Sequence, residues 1–355
     1  MLKPSRLLRI TTERPWSWAP FKKQREVASF PPLRVLFCGS DGFSAPSFTM
    51  LRELHLRRSD IVSSLGIMTP APKPSGRNHK VLKPTHMALL AEKMGYKPAY
   101  AHSFVLKPEE LPPGGWDLII AVSFGHKIPA SVLSLCSAGG LNVHPSLLPR
   151  HRGPAPLHHT LLQRDAETGV SVQTIHPTEF DKGDVLLRSS KIPVAHLSLQ
   201  ALSSSLAKTG ADLLRELLIA GYPANAPTPL EPETSESYAP KITKEETRVI
   251  WSTWCTDDIA LWSRVMGSLW TTMSGQVVKL GVLESVTLPV SIQAPAGTIR
   301  YVRKSVSFDE TQSYTEPILA VKCCDGWVSI GKLTHAGKKE RWGYEAADMD
   351  GKVFD

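Results

Sequence analysis

Two short polar stretches of this sequence hold side chains suited to handling a reacting carbonyl. In Gly140-Leu-Asn142-Val-His144-Pro-Ser146-Leu-Leu-Pro-Arg150-His-Arg152-Gly-Pro-Ala-Pro156, an amide and an imidazole stand two positions apart at the end of an apolar run. Side chains of a strand alternate faces, so Asn142 and His144 share one side while Leu141 and Val143 turn into packing. The second stretch, Phe180-Asp181-Lys-Gly-Asp184, sets a carboxylate ahead of a glycine turn. Alone, such an Asp reads as an Asx-turn residue and a strand-end His as structural. Together the three are a candidate acyl-transfer set. The amide holds a developing oxyanion, the imidazole handles charge and protons, and the carboxylate fixes the imidazole.

These groups must be carried by elements that bring distant positions together. Leu33–Cys38 is an apolar, β-prone run that meets a turn at Gly39-Ser-Asp-Gly42, followed by a helical segment over 45–56 and a second apolar run over 61–68. Strand, helix, strand alternation favours a parallel sheet. Residues 85–95 suit a capped helix ending at Gly95, Trp116–Ser123 reads as a strand covered on both faces, and 141–144 as a shorter strand close behind it. Two further strands are expected over 170–175 and 185–194, then a long helix over 197–220. Pro223, Pro227, Pro229 and Pro232 mark 222–237 as a linker. Beyond it a helix is expected from Thr256 to about Leu269, and then short β-prone runs over 276–283, 297–302, 318–323 and 328–333, which read as a small antiparallel barrel. In an open α/β sheet, ligands sit at the carboxyl ends of the strands, where Asn142 and His144 fall. The Gly39–Ser44 turn does not match G-x-G-x-x-G, so a tight turn explains it better than a dinucleotide site.

Composition narrows the function classes. The chain has 355 residues, 42% apolar and 21% charged, which is globular and long enough for two domains. Its net charge of +8 is concentrated at the start, where residues 1–32 hold seven Lys and Arg but only Glu13 and Glu26. A polyanion site must therefore be a local patch. That first segment lacks the apolar core of a secretory signal and fits an organelle-targeting leader. No run is long and apolar enough to span a membrane, and a soluble protein is expected. Five cysteines without a C-x-x-C pair argue against a disulfide framework or a thiolate zinc site and for a reducing compartment. Cys38, Cys323 and Cys324 sit in apolar runs and read as small buried hydrophobes. His144, His151, His158, His159 and His176 follow no metal-ligand spacing, so no metal is expected.

The stretch Asn142-Val-His144-Pro-Ser146-Leu-Leu-Pro149-Arg150, with Arg152-Gly-x-x-Pro156, resembles the signature of the formyltransferases that use 10-formyltetrahydrofolate, and Asp181-x-Gly-Asp184 resembles their second motif. Arg34–Phe43 is similar to their first strand and turn. Tyr238-Ala-Pro-Lys-Ile-x-Lys-Glu-Glu246 with Trp251 resembles the junction of the methionyl-tRNA formyltransferases, and Gly297-Thr-Ile299 and Asp325-Gly-Trp327 are similar to their C-terminal barrel. The resemblance covers about 33–349. Two departures stand out: the family commonly has Trp where this chain has His151, and two alanines where it has Pro154-Ala155.

The resemblance implies a Rossmann-like α/β formyltransferase domain over 33–221, the linker 222–237, and an OB-like C-terminal β-barrel over 238–355 that binds tRNA, behind the leader 1–32. It implies Asn142, His144 and Asp181 as the catalytic trio and the substrate's own α-amine as nucleophile. The folate co-substrate would meet Ser123, Phe124, Gly125, Ser146 and Pro149. The basic stretch 72–83, with Lys73, Arg77, Lys80 and Lys83, would meet the acceptor arm of an initiator methionyl-tRNA through its phosphates. A monomer in the mitochondrial matrix is the expected setting, the alternatives being another organelle or a bacterial-type cytoplasm. Two rivals remain: a formyltransferase for a small amine such as a glycinamide nucleotide or an amino sugar, and a catalytically silent RNA-binding protein on the same fold.

Overall fold

The first strand, β1 (Leu33–Gly39), is buried along nearly its whole length, as its apolar composition requires of a central strand. In this computed structural model, which describes residues 31–75, 81–195, 197–288, 294–307 and 313–355, β1 is followed by α1 (Ala45–Arg57) and β2 (Val62–Pro70). The leader expected over 1–32 lies almost entirely outside the described residues. A small antiparallel hairpin, β3 (Lys73–Ser75) and β4 (Val81–Lys83), then leads to α2 (His86–Lys93) and β5 (Ala99–Ala101). The hairpin corrects the reading of that stretch as a plain loop. Thr85 caps α2 by accepting from the Ala88 N–H.

The chain continues through β6 (Leu118–Val122), α3 (Ala130–Leu133), β7 (Gly140–His144), α4 (Pro156–Leu162) and β8 (Glu167–Thr168). Next come β9 (Ser171–Thr174), β10 (Val185–Arg188), β11 (Ile192–Pro193) and α5 (Leu199–Ile219). The single strand expected over 185–194 is thus two: β10 pairs with β9, whereas β11 leaves that sheet to pair with β8. The sheet order is β10-β9-β7-β6-β1-β2-β5, parallel from β7 to β5 and antiparallel at β9 and β10. From β1 the connections run outward to β2 and β5, and then return to β6 and β7 on the other side. That reversal opens a crevice beyond the carboxyl ends of β1 and β6, beside the end of β7. Helix α5 covers one face with a stripe including Leu202, Leu206, Leu214 and Leu217, spaced to one side of a helix.

The second sheet is antiparallel. After α6 (Thr256–Met266) come β12 (Ser268–Met273), β13 (Gln276–Val286), β14 (Ile299–Ser307), β15 (Ser313–Lys322), β16 (Trp327–His335) and the short β17 (Arg341–Trp342). Its order is β12-β13-β16-β15-β14, with β17 on β16, packed around a core of its own that includes Trp251, Ile259, Leu280 and Ile330. The helix expected to reach Leu269 ends at Met266, because Gly267 takes a left-handed φ of 76° and stops it, so Leu269 belongs to β12.

The proline-rich segment 222–237 is not a free tether. The Leu230 N–H donates to the Val185 carbonyl at 2.8 Å, Thr234 Oγ1 to the Leu147 carbonyl, and the Ser237 N–H to the Pro149 carbonyl. Cys38 and Cys323 are buried as expected, but Cys324 is exposed.

Candidate active site

Asn142 and His144 lie on β7 and Asp181 in the connection between β9 and β10, and the structure brings all three together. Asn142 Nδ2 donates to Asp181 Oδ1 at 3.1 Å, and His144 Nδ1 stands 3.3 Å from the same oxygen. Asp181 has a φ of 54°, and two residues later Gly183 presses on β9 so closely that a Cβ there would sit 1.7 Å from the Thr174 carbonyl oxygen. Only glycine fits that approach, which explains the residue in the Asp-x-Gly-Asp pattern.

Further donors converge on the carboxylate. The Gly153 N–H reaches Asp181 Oδ2 at 2.9 Å and Gln173 Nε2 reaches Oδ1 at 3.2 Å. Gln173 faces Asn142 across the β7–β9 pairing, and Arg152 Nε holds the Asp181 carbonyl at 2.8 Å. Burial works against an ionised Asp181, yet the charge and hydrogen bond of His144, with Gly153 and Gln173, hold its carboxyl below the usual carboxylate range. Burial likewise opposes a charged His144, and Asp181 with the His151 carbonyl overcomes it, so its proton affinity lies above the ordinary histidine value.

Geometry makes the same assignment. His144 Nε2 lies 2.9 Å from the His151 carbonyl oxygen, while Nδ1 faces the carboxylate. Both ring nitrogens face acceptors, which only the doubly protonated imidazolium satisfies. His144 therefore supplies positive charge, both of its N–H bonds being engaged. Asn142 keeps one amide N–H beyond the one given to Asp181.

The trio opens into a cleft of about 760 Å3 that also reaches Ser123, Phe124 and Gly125, three of the residues expected to meet folate. Ser123 has a φ of 48° and Gly125 of 74°, and the Ser123 carbonyl accepts from Ser40 Oγ. Ser146 and Pro149, also expected there, do not line it. Ser146 is fully buried, with Oγ donating to the Arg150 carbonyl at 2.6 Å, and the Pro149 carbonyl accepts from the Ser237 N–H. They are scaffold residues of the loop after β7. Lys73 and Lys83 face each other across the β3–β4 hairpin, exposed and away from the cleft lining, while Arg77 and Lys80 lie outside the described residues.

Reading the sequence missed several lining groups. Phe104 and Phe180 come from separate loops, with ring centroids 6.2 Å apart, and Phe104 approaches His126 at 6.3 Å. Tyr238 and Lys241, from the segment entering the second sheet, line the same cleft. No spacing rule links these positions; Gln173, a lone amide in an apolar strand, was the one local signal available.

What this arrangement can do is hold a carbonyl carbon beside an amide donor and a buried charge pair while an external nucleophile attacks. Comparison with known proteins agrees. Residues 33–218 match the formyl transferase family. The chain is 30% identical over 330 residues to the mitochondrial methionyl-tRNA formyltransferase of Homo sapiens, covering 88% of this chain and 77% of that one. It is 31% identical to the methionyl-tRNA formyltransferase of Ruegeria pomeroyi, covering 86% and 93%. Among solved structures, HypX from Aquifex aeolicus in complex with tetrahydrofolic acid superimposes with a TM-score of 0.54 at 19% identity, over 88% of this chain and 46% of that one. A sugar N-formyltransferase from Shewanella gives 0.53 at 15% identity, over 72% and 99%.

Proposed function

The chain belongs to the methionyl-tRNA formyltransferase family, and from that premise we propose that it moves the formyl group of 10-formyltetrahydrofolate onto the α-amine of initiator methionyl-tRNA, serving translation initiation in mitochondria. The observation that carries the reading is the meeting of Asn142, His144 and Asp181 at the cleft beyond β7.

The neutral α-amine attacks the formyl carbon, and the carbonyl π electrons move to oxygen. The free amide N–H of Asn142 and the imidazolium of His144 offset the charge that develops there. The attacking nitrogen loses a proton, the bond from the formyl carbon to N10 breaks as the carbonyl re-forms, and N10 takes up a proton. Formylmethionyl-tRNA and tetrahydrofolate leave. Asp181 holds His144 charged throughout. The nucleophile is the substrate's own, so no enzyme Ser or Cys takes part.

For folate we assign Ser123, Phe124 and Gly125, whose turn lines the cleft; the folate-bound HypX shares this fold. The tRNA would lie over Lys73, Arg77, Lys80 and Lys83 and the body formed by 238–355, with the chain acting as a monomer. The test is incubation of the purified full chain with methionyl-tRNA and 10-formyltetrahydrofolate labelled in the formyl group. Label should appear in the aminoacyl-tRNA. Label passing instead to a small amine, and never to the tRNA, would overturn the reading.

A further inference from the structure

His151 sits in the loop between β7 and α4. It is 1% exposed and holds a left-handed φ of 57°, unusual for a residue with a side chain. Its backbone carbonyl receives His144 Nε2 at 2.9 Å, so the orientation of this one peptide fixes one of the two acceptors that keep His144 charged. Its ring turns the other way, with Nε2 at 2.7 Å from Asp165 Oδ2, and Asp165 is clamped by Arg150, whose Nε reaches the same oxygen at 2.9 Å. Ser237 Oγ accepts the His151 N–H at 2.9 Å.

From this geometry we infer that His151 and Asp165 are positioning residues: the ring-to-carboxylate tether holds the strained peptide whose carbonyl keeps the His144 imidazole in place. The inference rests on the reading of His144 given above.

Burial pushes the His151 ring down despite Asp165, and among the described residues its buried Nδ1 has no hydrogen-bond partner, which puts the ring proton on Nε2, toward Asp165. Asp165 is ionised, held below the usual carboxylate range against its burial by Arg150 and His151. The charged or titratable groups facing His151 are Asp165, Arg150 and His159; those facing His144 are Asp181 and Arg152. What the tether needs is therefore one ring N–H aimed at Asp165. An indole carries such an N–H as well.

The experiment uses the full chain with labelled histidine, following the His144 ring by NMR as pH is varied, beside formylation kinetics. Asp165→Ala and His151→Leu should each raise the acid dissociation constant of His144 about tenfold, the worth of one hydrogen bond to a charged group. Both should lower kcat by a similar factor and leave the KM for methionyl-tRNA within about twofold. His151→Trp should restore the wild-type titration. An unchanged His144 titration in folded Asp165→Ala and His151→Leu would overturn the inference, as would an equal shift in all three variants. Absence of formylation by the wild type would remove the proposed function, while the titration would still decide this point.

Discussion

Replacing Asp181 with Asn keeps its shape and removes its charge, which probes the site where its parts depend on one another most. The carboxylate oxygens of Asp181 face His144, Asn142, Gln173 and the Gly153 N–H, all donors. A carboxamide must turn an NH2 toward at least one of them, and His144 loses the charge that keeps it protonated. Their side chains are 6% and 10% exposed, so water replaces little of the loss. Breaking a buried pair by changing one partner costs about 3–5 kcal/mol. If that charge is felt by the developing oxyanion, the same range corresponds to about 10²- to 10⁴-fold in kcat. Affinity for tRNA should hold within about twofold, since the groups that meet the Asp181 carboxylate are Asn142, His144, Gln173 and the Gly153 N–H rather than the hairpin lysines Lys73 and Lys83.

Stability should change with pH in a defined direction. Asp181 is held below its unfolded value, so its contribution is present above about pH 4 and is lost as pH falls through the lower folded value. His144 is held above its unfolded value, so its contribution is complete below about pH 6.5 and is lost as pH rises through the higher folded value. The wild type should exceed Asp181→Asn in denaturant stability most between those limits, with the gap closing on both sides. Single-turnover formylation and urea titrations from pH 3 to 9 read both effects. Wild-type kcat in the variant, or a stability gap constant across that range, would refute the coupling of His144 to Asp181.

Gly183→Ala should leave a folded protein whose formylation is about 10²-fold slower, because the Thr174 carbonyl would drive the turn carrying Asp181 out of place; circular dichroism with kcat checks it. Neutralising Lys73 and Lys83 together should weaken tRNA binding and flatten its logarithmic salt dependence by nearly one per lysine removed, read by filter binding across salt concentrations. An unchanged slope would exclude the β3–β4 hairpin from the tRNA path.

How legible the molecule was follows from which forces are local. The apolar runs of β1 and β6 show in sequence because a strand buried on both faces has few polar residues. Asn142 and His144 could be placed on one face of β7 because strand side chains alternate. The end of α6 was misread because the apolar pattern continues past Gly267 and only the left-handed backbone there decides the matter. The segment 222–237 has linker composition, and its fastening to β10 and to the loop after β7 mixes main-chain bonds with contacts of Thr234, Ser237, Glu233 and Glu236, whose partners lie far away in the sequence. Ser146 and Pro149 share a motif with His144, yet the loop turns them toward Arg150 and Ser237, so adjacency in the motif did not place them in the cleft lining. The Gly153 N–H and the His151 carbonyl, which fix the charge pair, are likewise backbone groups.

The central claim is that the free amide N–H of Asn142, beside the His144–Asp181 pair, meets the oxygen of a formyl carbon under attack by an aminoacyl amine. Single-turnover transfer of labelled formyl to methionyl-tRNA by the wild type and by Asn142→Ala tests it most directly. The expected result is formylated tRNA with the wild type and a rate about 10²- to 10³-fold lower in the variant, at unchanged tRNA affinity. Equal rates in the two proteins, or a variant deficit that disappears at saturating tRNA, would contradict it.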